Sequence, residues 1–334
     1  MKRMMMTALC ATLIAGGANA ADLPGYDRLD IPAAHRGALI AGSIWYPAGS
    51  RTYPGLIGDN PVFHGTQAMV GAGLTEGQRP LVVISHGSGG NMDGLGWLAE
   101  GLVARGAMVL GLNHPGSTSG DSSPRRSVLL HDRAADIRAA LDAALADPTF
   151  GPHVDPARIS ILGFSLGGAT ALNIAGARMD RTAYTAYCDS HPEAQDCAFL
   201  AKGGVDLTTL PPEWESDMRD PRIGAVIGVD PAFGFGMTDE SLRAIDMPTL
   251  LLSLGQPLLA VDPQASGLLA NLPRAQQITL PDTDHFGFLG LCKPDGPALL
   301  RDEGEDPICD QAPGFDRAAT HAQAVDAIAD FLAL

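Results

Sequence analysis

The sequence predicts one α/β domain on a mostly parallel sheet, with helices on both faces and a cap-like insertion. Three observations carry this expectation. From residue 81 onward, short apolar runs, glycine-rich or polar loops and amphipathic helices recur in that order, as they do in a parallel sheet covered on both sides. The 334 residues are 46% hydrophobic and 18% charged, with 40 glycines and 25 prolines, which excludes collagen, coiled coil and disorder. No tract beyond residue 20 approaches the roughly 20 consecutive apolar residues of a membrane span, so no stable membrane insertion is expected.

The first twenty residues read as a signal peptide. Lys2 and Arg3 precede an apolar run over residues 4–15, and Ala18-Asn19-Ala20 follows, an arrangement that signal peptidase cleaves, here after Ala20. The expected mature chain, 21–334, is periplasmic or secreted. Cys10 has no small residue directly ahead of it, so lipidation is not expected. Without the leader, 20 basic residues face 38 acidic ones. So strong a negative balance offers no footprint for a phosphate backbone and argues against nucleic acid as a partner.

Apolar runs at 81–85, 107–112, 159–162, 223–229, 249–254 and 277–280 read as successive buried strands. Residues 39–46 look like an antiparallel edge strand ahead of them. Leu130, Ala134, Ile137, Leu141 and Leu145 form one helical stripe that ends before Pro148, and residues 317–332 carry Val325, Ile328 and Leu332 on one face of a closing helix. Two excursions interrupt the rhythm, at about 47–79 and 178–221, and such insertions usually form lids or pocket walls. Four cysteines remain after leader removal, in a compartment where disulfides persist. Cys188 with Cys197 and Cys292 with Cys309 are the expected pairs, because each lies within one irregular segment. The spacings contain no C-x-x-C unit, and no metal site is expected.

Chemistry concentrates in three places. Gly163-Phe164-Ser165-Leu166-Gly167 is a G-x-S-x-G sequence between the β-branched run 158–162 and a helix-forming run from Ala169. A sharp strand-to-helix turn of this kind projects the serine hydroxyl from the sheet beside a helix N-terminus, as a nucleophile elbow does. A serine needs a base, and the base an orienting acid. Of nine histidines, His285 alone follows the last apolar strand in a loop. Residues 81–90 run from a buried strand into His86-Gly87-Ser88-Gly89-Gly90, which lacks the lysine of a P-loop. Here the Ser88 and Leu166 amides are the expected oxyanion donors, with His86 orienting the loop. Trp97, Phe164 and Phe286 are expected to line the substrate pocket.

This order of Ser165, an acid and then His285, with the HGSGG loop and GFSLGG elbow, resembles the α/β-hydrolases over residues 81–334. The Ile44-Trp45-Tyr46-Pro47 strand and the helix around His131-Asp132-Arg133-Ala134-Ala135-Asp136 are similar to secreted dienelactone-hydrolase-like proteins and platelet-activating factor acetylhydrolases. The resemblance implies a serine carboxylic ester hydrolase with no metal or organic cofactor, acting on small-molecule or polymeric esters. Many relatives carry Gly-x-x-Asp after the strand at 249–254, but here Gly255 is followed by Gln256-Pro257-Leu258. Two acids remain. Asp230, at a strand end, is expected ahead of Asp262, in a proline-punctuated loop. Short- or medium-chain ester hydrolysis is the main expectation; acyl transfer, a polyester or phospholipid-type substrate, and a non-catalytic binding protein are the competing readings.

Overall fold

A computed structural model describes residues 23–312 and 314–334. The expected signal segment, its cleavage site and Cys10 lie outside the described residues. Ten strands form one sheet: β1 (Gly25–Ala33), β2 (Ala38–Tyr46), β3 (Tyr53–Ile57), β4 (Thr66–Val70), β5 (Arg79–Ser85), β6 (Met108–Leu112), β7 (Val154–Phe164), β8 (Ala225–Val229), β9 (Thr249–Leu254) and β10 (Ala275–Leu280). Their spatial order is β10-β9-β8-β7-β5-β6-β2-β1-β4-β3. The six from β6 to β10 run parallel to one another. Their C-terminal ends therefore open along one edge of the sheet, where ligands of open α/β sheets bind.

Alternation along each strand divides the apolar residues between two cores. Leu81, Val83, Ile159, Ile161, Val226 and Leu251 join one. It is covered by α2 (Leu130–Ala146) and α3 (Leu166–Ala175). Val82, Ile84, Leu162, Phe164, Val229 and Leu252 join the other, beneath α1 (Gly96–Val103) and the last long helix, Arg317–Leu332. Leu332 itself is only partly buried.

The sequence expectation for 39–46 needs one correction. The strand is antiparallel, but it lies inside the sheet, because β1 pairs with it from Gly25↔Tyr46 to Ala33↔Ala38 while β6 takes its other side. In β1, Leu29, Ile31 and Ala33 point inward at alternate positions, a signal obscured by the interleaved Asp27, Arg28, Asp30 and Pro32. The excursion at 47–79 likewise supplies two strands that extend the sheet. Its turn between β3 and β4 meets the chain beyond His285, through His64 N–H to Leu291 O at 2.8 Å and Lys293 N–H to Val62 O at 2.8 Å.

The second excursion contains α4 (Arg181–Ser190) and α5 (Gln195–Lys202), tied by the Cys188–Cys197 disulfide. Tyr184 and Trp214 are fully buried in the first core. Tyr184 stacks on Phe233 at 4.8 Å and Tyr187 on Phe235 at 4.1 Å, so the excursion is packed against the turn that follows β8. The second expected disulfide, Cys292–Cys309, is also formed. It brackets α6 (Gly296–Glu303), ahead of the final helix, α7 (Arg317–Leu332).

Candidate active site

At the end of β7 the chain turns through Ser165, whose φ of 55° and ψ of −117° lie outside the regions ordinary residues favour. The flanking glycines make the turn sterically possible. A Cβ on Gly163 would sit 1.8 Å from Gly167 O, and one on Gly167 would sit 1.9 Å from Ser85 O. The turn is pinned by the Ser165 amide donating to Val229 O at 2.9 Å and by Ala232 N–H donating to Ser165 O at 3.1 Å. Ser165 remains half-buried, at the mouth of the site.

The neighbouring strand, β8, ends at Asp230, which also has positive φ, 41°. Its carboxylate is held on both oxygens. Leu254 N–H donates to Oδ1 at 3.0 Å, and His285 Nδ1 lies 2.9 Å from Oδ2. The other imidazole nitrogen, Nε2, lies 3.2 Å from Ser165 Oγ. This network assigns the proton to Nδ1, with Nε2 accepting from the serine hydroxyl. Burial raises the Asp230 carboxyl above its ordinary range, opposed by the His285 contact and the Leu254 N–H. Asp262 is engaged elsewhere: its Oδ1 accepts from Gln264 N–H at 2.8 Å and Ala265 N–H at 3.2 Å.

His285 is presented by a short turn that Asp284 caps, through Gly287 N–H to Oδ1 at 2.9 Å. Phe164 lies 4.8 Å from the imidazole and Phe286 5.5 Å, centroid to centroid. Trp97 goes elsewhere. Its indole stacks on His321 at 3.7 Å and meets Phe288 edge-on at 5.0 Å, because α1 packs against α7 and directs this side chain between them. Phe288 stands between it and Phe164. Among the described residues, the Ser88 and Leu166 amides donate to no other group. His86 is buried, with Nδ1 2.7 Å from Gly87 O and Nε2 accepting from His114 N–H at 3.3 Å.

A second array, to which the sequence analysis assigns no role, lies below the loop. His114 Nε2 is 3.0 Å from Ser85 Oγ, and Nδ1 is 3.0 Å from Asp136 Oδ2. All three side chains are fully buried. Asp136 also receives Arg36, at 2.7 and 2.8 Å, and lies 2.7 Å from His35 Nε2. Burial alone would raise its carboxyl, but the Arg36 and His114 hydrogen bonds outweigh burial and hold it well below the usual carboxylate range. Burial, aided by the Arg133 charge, pushes His114 down to about 4. The available sequence signal was Arg133 and Asp136 on the apolar face of α2, since Arg133 follows Leu130 by three and precedes Ile137 by four.

Two cavities, of about 580 and 550 Å³, open around Arg178 and Arg219 and around His35 and Arg138, and neither includes Ser165, His285 or Asp230. Among the described residues, no group of three or more His, Cys, Asp or Glu side chains is arranged to hold a metal ion, and no helix is long and apolar enough to cross a membrane.

No family model matches the chain. A stretch of 46 residues is 48% identical to lipase 1 of Moraxella sp. (strain TA144), spanning 14% of this chain and 14% of that protein. Among solved structures, a ferulic acid esterase from Streptomyces cinnamoneus superposes with a TM-score of 0.62 at 22% identity, over 96% of this chain and 91% of that one. A dienelactone hydrolase-like promiscuous phosphotriesterase from metagenomic libraries gives a TM-score of 0.52 at 16% identity, over 93% and 98%. The chain has the α/β-hydrolase fold.

Proposed function

We propose that the protein is a serine carboxylic ester hydrolase with Ser165 as nucleophile, His285 as general base and acid, and Asp230 as the orienting carboxylate. The observation that carries this reading is the continuous path from Ser165 Oγ through His285, at 3.2 and 2.9 Å, to Asp230. As Oγ attacks the ester carbonyl carbon, its proton passes to His285 Nε2. The oxyanion is received by the Ser88 and Leu166 amides, each such donor being worth about 3 kcal/mol. The imidazolium then protonates the departing alkoxide, leaving an acyl-enzyme. Water attacks the acyl carbon while His285 takes its proton, and that proton returns to Ser165 as the acid departs. Asp230 stays ionised and holds Nδ1–H throughout.

The substrate class we infer is a short- or medium-chain ester in solution. An interfacial lipase needs an apolar docking face, whereas this chain has 5% aromatic residues and a strong acidic excess. Two disulfides support export to an oxidising compartment. A serine-directed phosphonate should label the wild type and not Ser165→Ala. An ester panel graded by acyl length, with a feruloyl ester, an oxidised short-chain phospholipid and a polyester film, tests the substrate class. Faster turnover of emulsified long-chain triglyceride than of soluble butyrate overturns it.

A further inference from the structure

Arg133 lies on α2, is 1% exposed and touches neither Ser165 nor His285. Four contacts engage its planar fork. Nη2 donates to His86 O at 2.6 Å and to Ser85 Oγ at 3.0 Å. Nη1 donates to Ser117 Oγ. Nε donates to Thr170 Oγ1 at 2.9 Å.

These contacts reach both halves of the site. His86 O precedes Ser88 by two residues, and Ser117, whose carbonyl accepts Gly89 N–H at 2.9 Å, holds the loop just beyond it. Thr170 passes the grip to the helix, since its hydroxyl donates to Leu166 O at 3.1 Å. A buried guanidinium is costly unless compensated, and Asp136 on the next turn of α2 supplies the opposite charge.

We propose that Arg133 is a positioning residue: by holding the Ser88 loop and the Leu166 helix turn from one rigid fork, it sets the separation of the two oxyanion donors. This rests on the hydrolase reading above. A planar fork suits the task because its donors have fixed mutual angles, which a lysine ammonium does not reproduce.

The test compares an acetate ester with its thionoester, whose larger, weakly accepting sulfur fits poorly between two amide donors. Wild type should prefer the oxygen ester strongly. Arg133→Lys and Thr170→Val should lower kcat/KM for the oxygen ester about 10- to 100-fold, the scale of one oxyanion donor, and shrink the ester-to-thionoester ratio about fivefold or more. Thr170→Ser, which keeps the hydroxyl, should retain both. Thr170→Val changes little volume, so it reports even where Arg133→Lys fails to fold. Folded variants that lose both activities in proportion, or lose neither, overturn the positioning role alone. Wild-type turnover that does not depend on Ser165 overturns the hydrolase reading and this proposal together.

Discussion

Two Ser–His–Asp arrays occupy this molecule. In one, Ser165, His285 and Asp230 are linked at 3.2 and 2.9 Å; in the other, Ser85, His114 and Asp136 are linked at 3.0 and 3.0 Å. The hydrogen-bond chains are nearly equivalent, yet the surroundings differ in three respects. Ser165 reaches the surface while Ser85 is fully buried. Ser85 Oγ already accepts from Arg133, whereas Ser165 stands on a strained turn at the start of α3, with His285 as its side-chain partner. His114 pairs with Asp136 as His285 does with Asp230, at 3.0 and 2.9 Å, but the buried Arg133 charge also acts on His114. On the proposed reading, access and a place for the oxyanion are what set the Ser165 array apart from the Ser85 array.

The sharpest way to break this contrast is at the serines. Ser165→Ala should lower kcat by about 10⁶-fold, as loss of the nucleophile does elsewhere, with the melting temperature nearly unchanged. Ser85→Ala should keep activity within about tenfold and lose roughly 1–3 kcal/mol of stability, because Arg133 and His114 lose a buried partner. Residual activity above a tenth in Ser165→Ala sinks the assignment.

The acids come next. Asp230→Asn should cost about 10⁴-fold in turnover by presenting the wrong tautomer, whereas Asp262→Asn should stay within about tenfold of wild type. Measuring kcat for both separates them. Two mild mutants would mean that neither residue orients His285.

Acid should act through the buried histidines. His114 and His321 are each pushed down to about 4, chiefly by burial, and His86 is pushed down as well. A depressed histidine contributes stability that is complete above its unfolded value near 6.5 and is lost as pH falls toward the folded value. For His114 the loss amounts to about 3 kcal/mol. Melting temperatures should therefore fall steadily from pH 6.5 to 4, and a flat profile across that window would contradict the buried neutral imidazoles.

The smallest expected effect concerns the surface array's support. Cys292 and Cys309 lie 17 residues apart, and their disulfide closes a loop that begins seven residues beyond His285. Arg317 braces the same segment by donating to Gly290 O at 2.7 Å and Ile308 O at 2.8 Å. Replacing both cysteines by serine should cost up to about 3 kcal/mol in denaturant unfolding. The activity of molecules still folded should fall only modestly, because Asp230 and Asp284 continue to hold His285 and its turn. No loss of stability would remove the loop-closure argument.

Much of this was legible from residues 81–334 alone. Five buried strands, the elbow at Ser165, the loop position of His285 and both local disulfides rest on interactions between residues near in sequence: short apolar runs, a glycine-flanked turn and short covalent loops. The sixth run, 277–280, forms a strand, but at the sheet edge with only Leu280 buried. The rest depends on contacts far apart in the chain. The interior place of β2 required β1, whose alternation is masked by charged residues and a proline. Asp230 and His285 meet across 55 positions because β8 lies beside β7 and the chain returns past β10. Trp97 turns away from the site because α7, more than 200 residues later, offers His321 to stack on. Arg133, read as one charge in an apolar stripe, has its meaning in partners 47 residues before it and 37 after. Sequence by itself determined which side chains were chemically able to act; only the tertiary structure decided which acid faced the imidazole and which serine faced solvent, because those choices follow from the order in which strands pack.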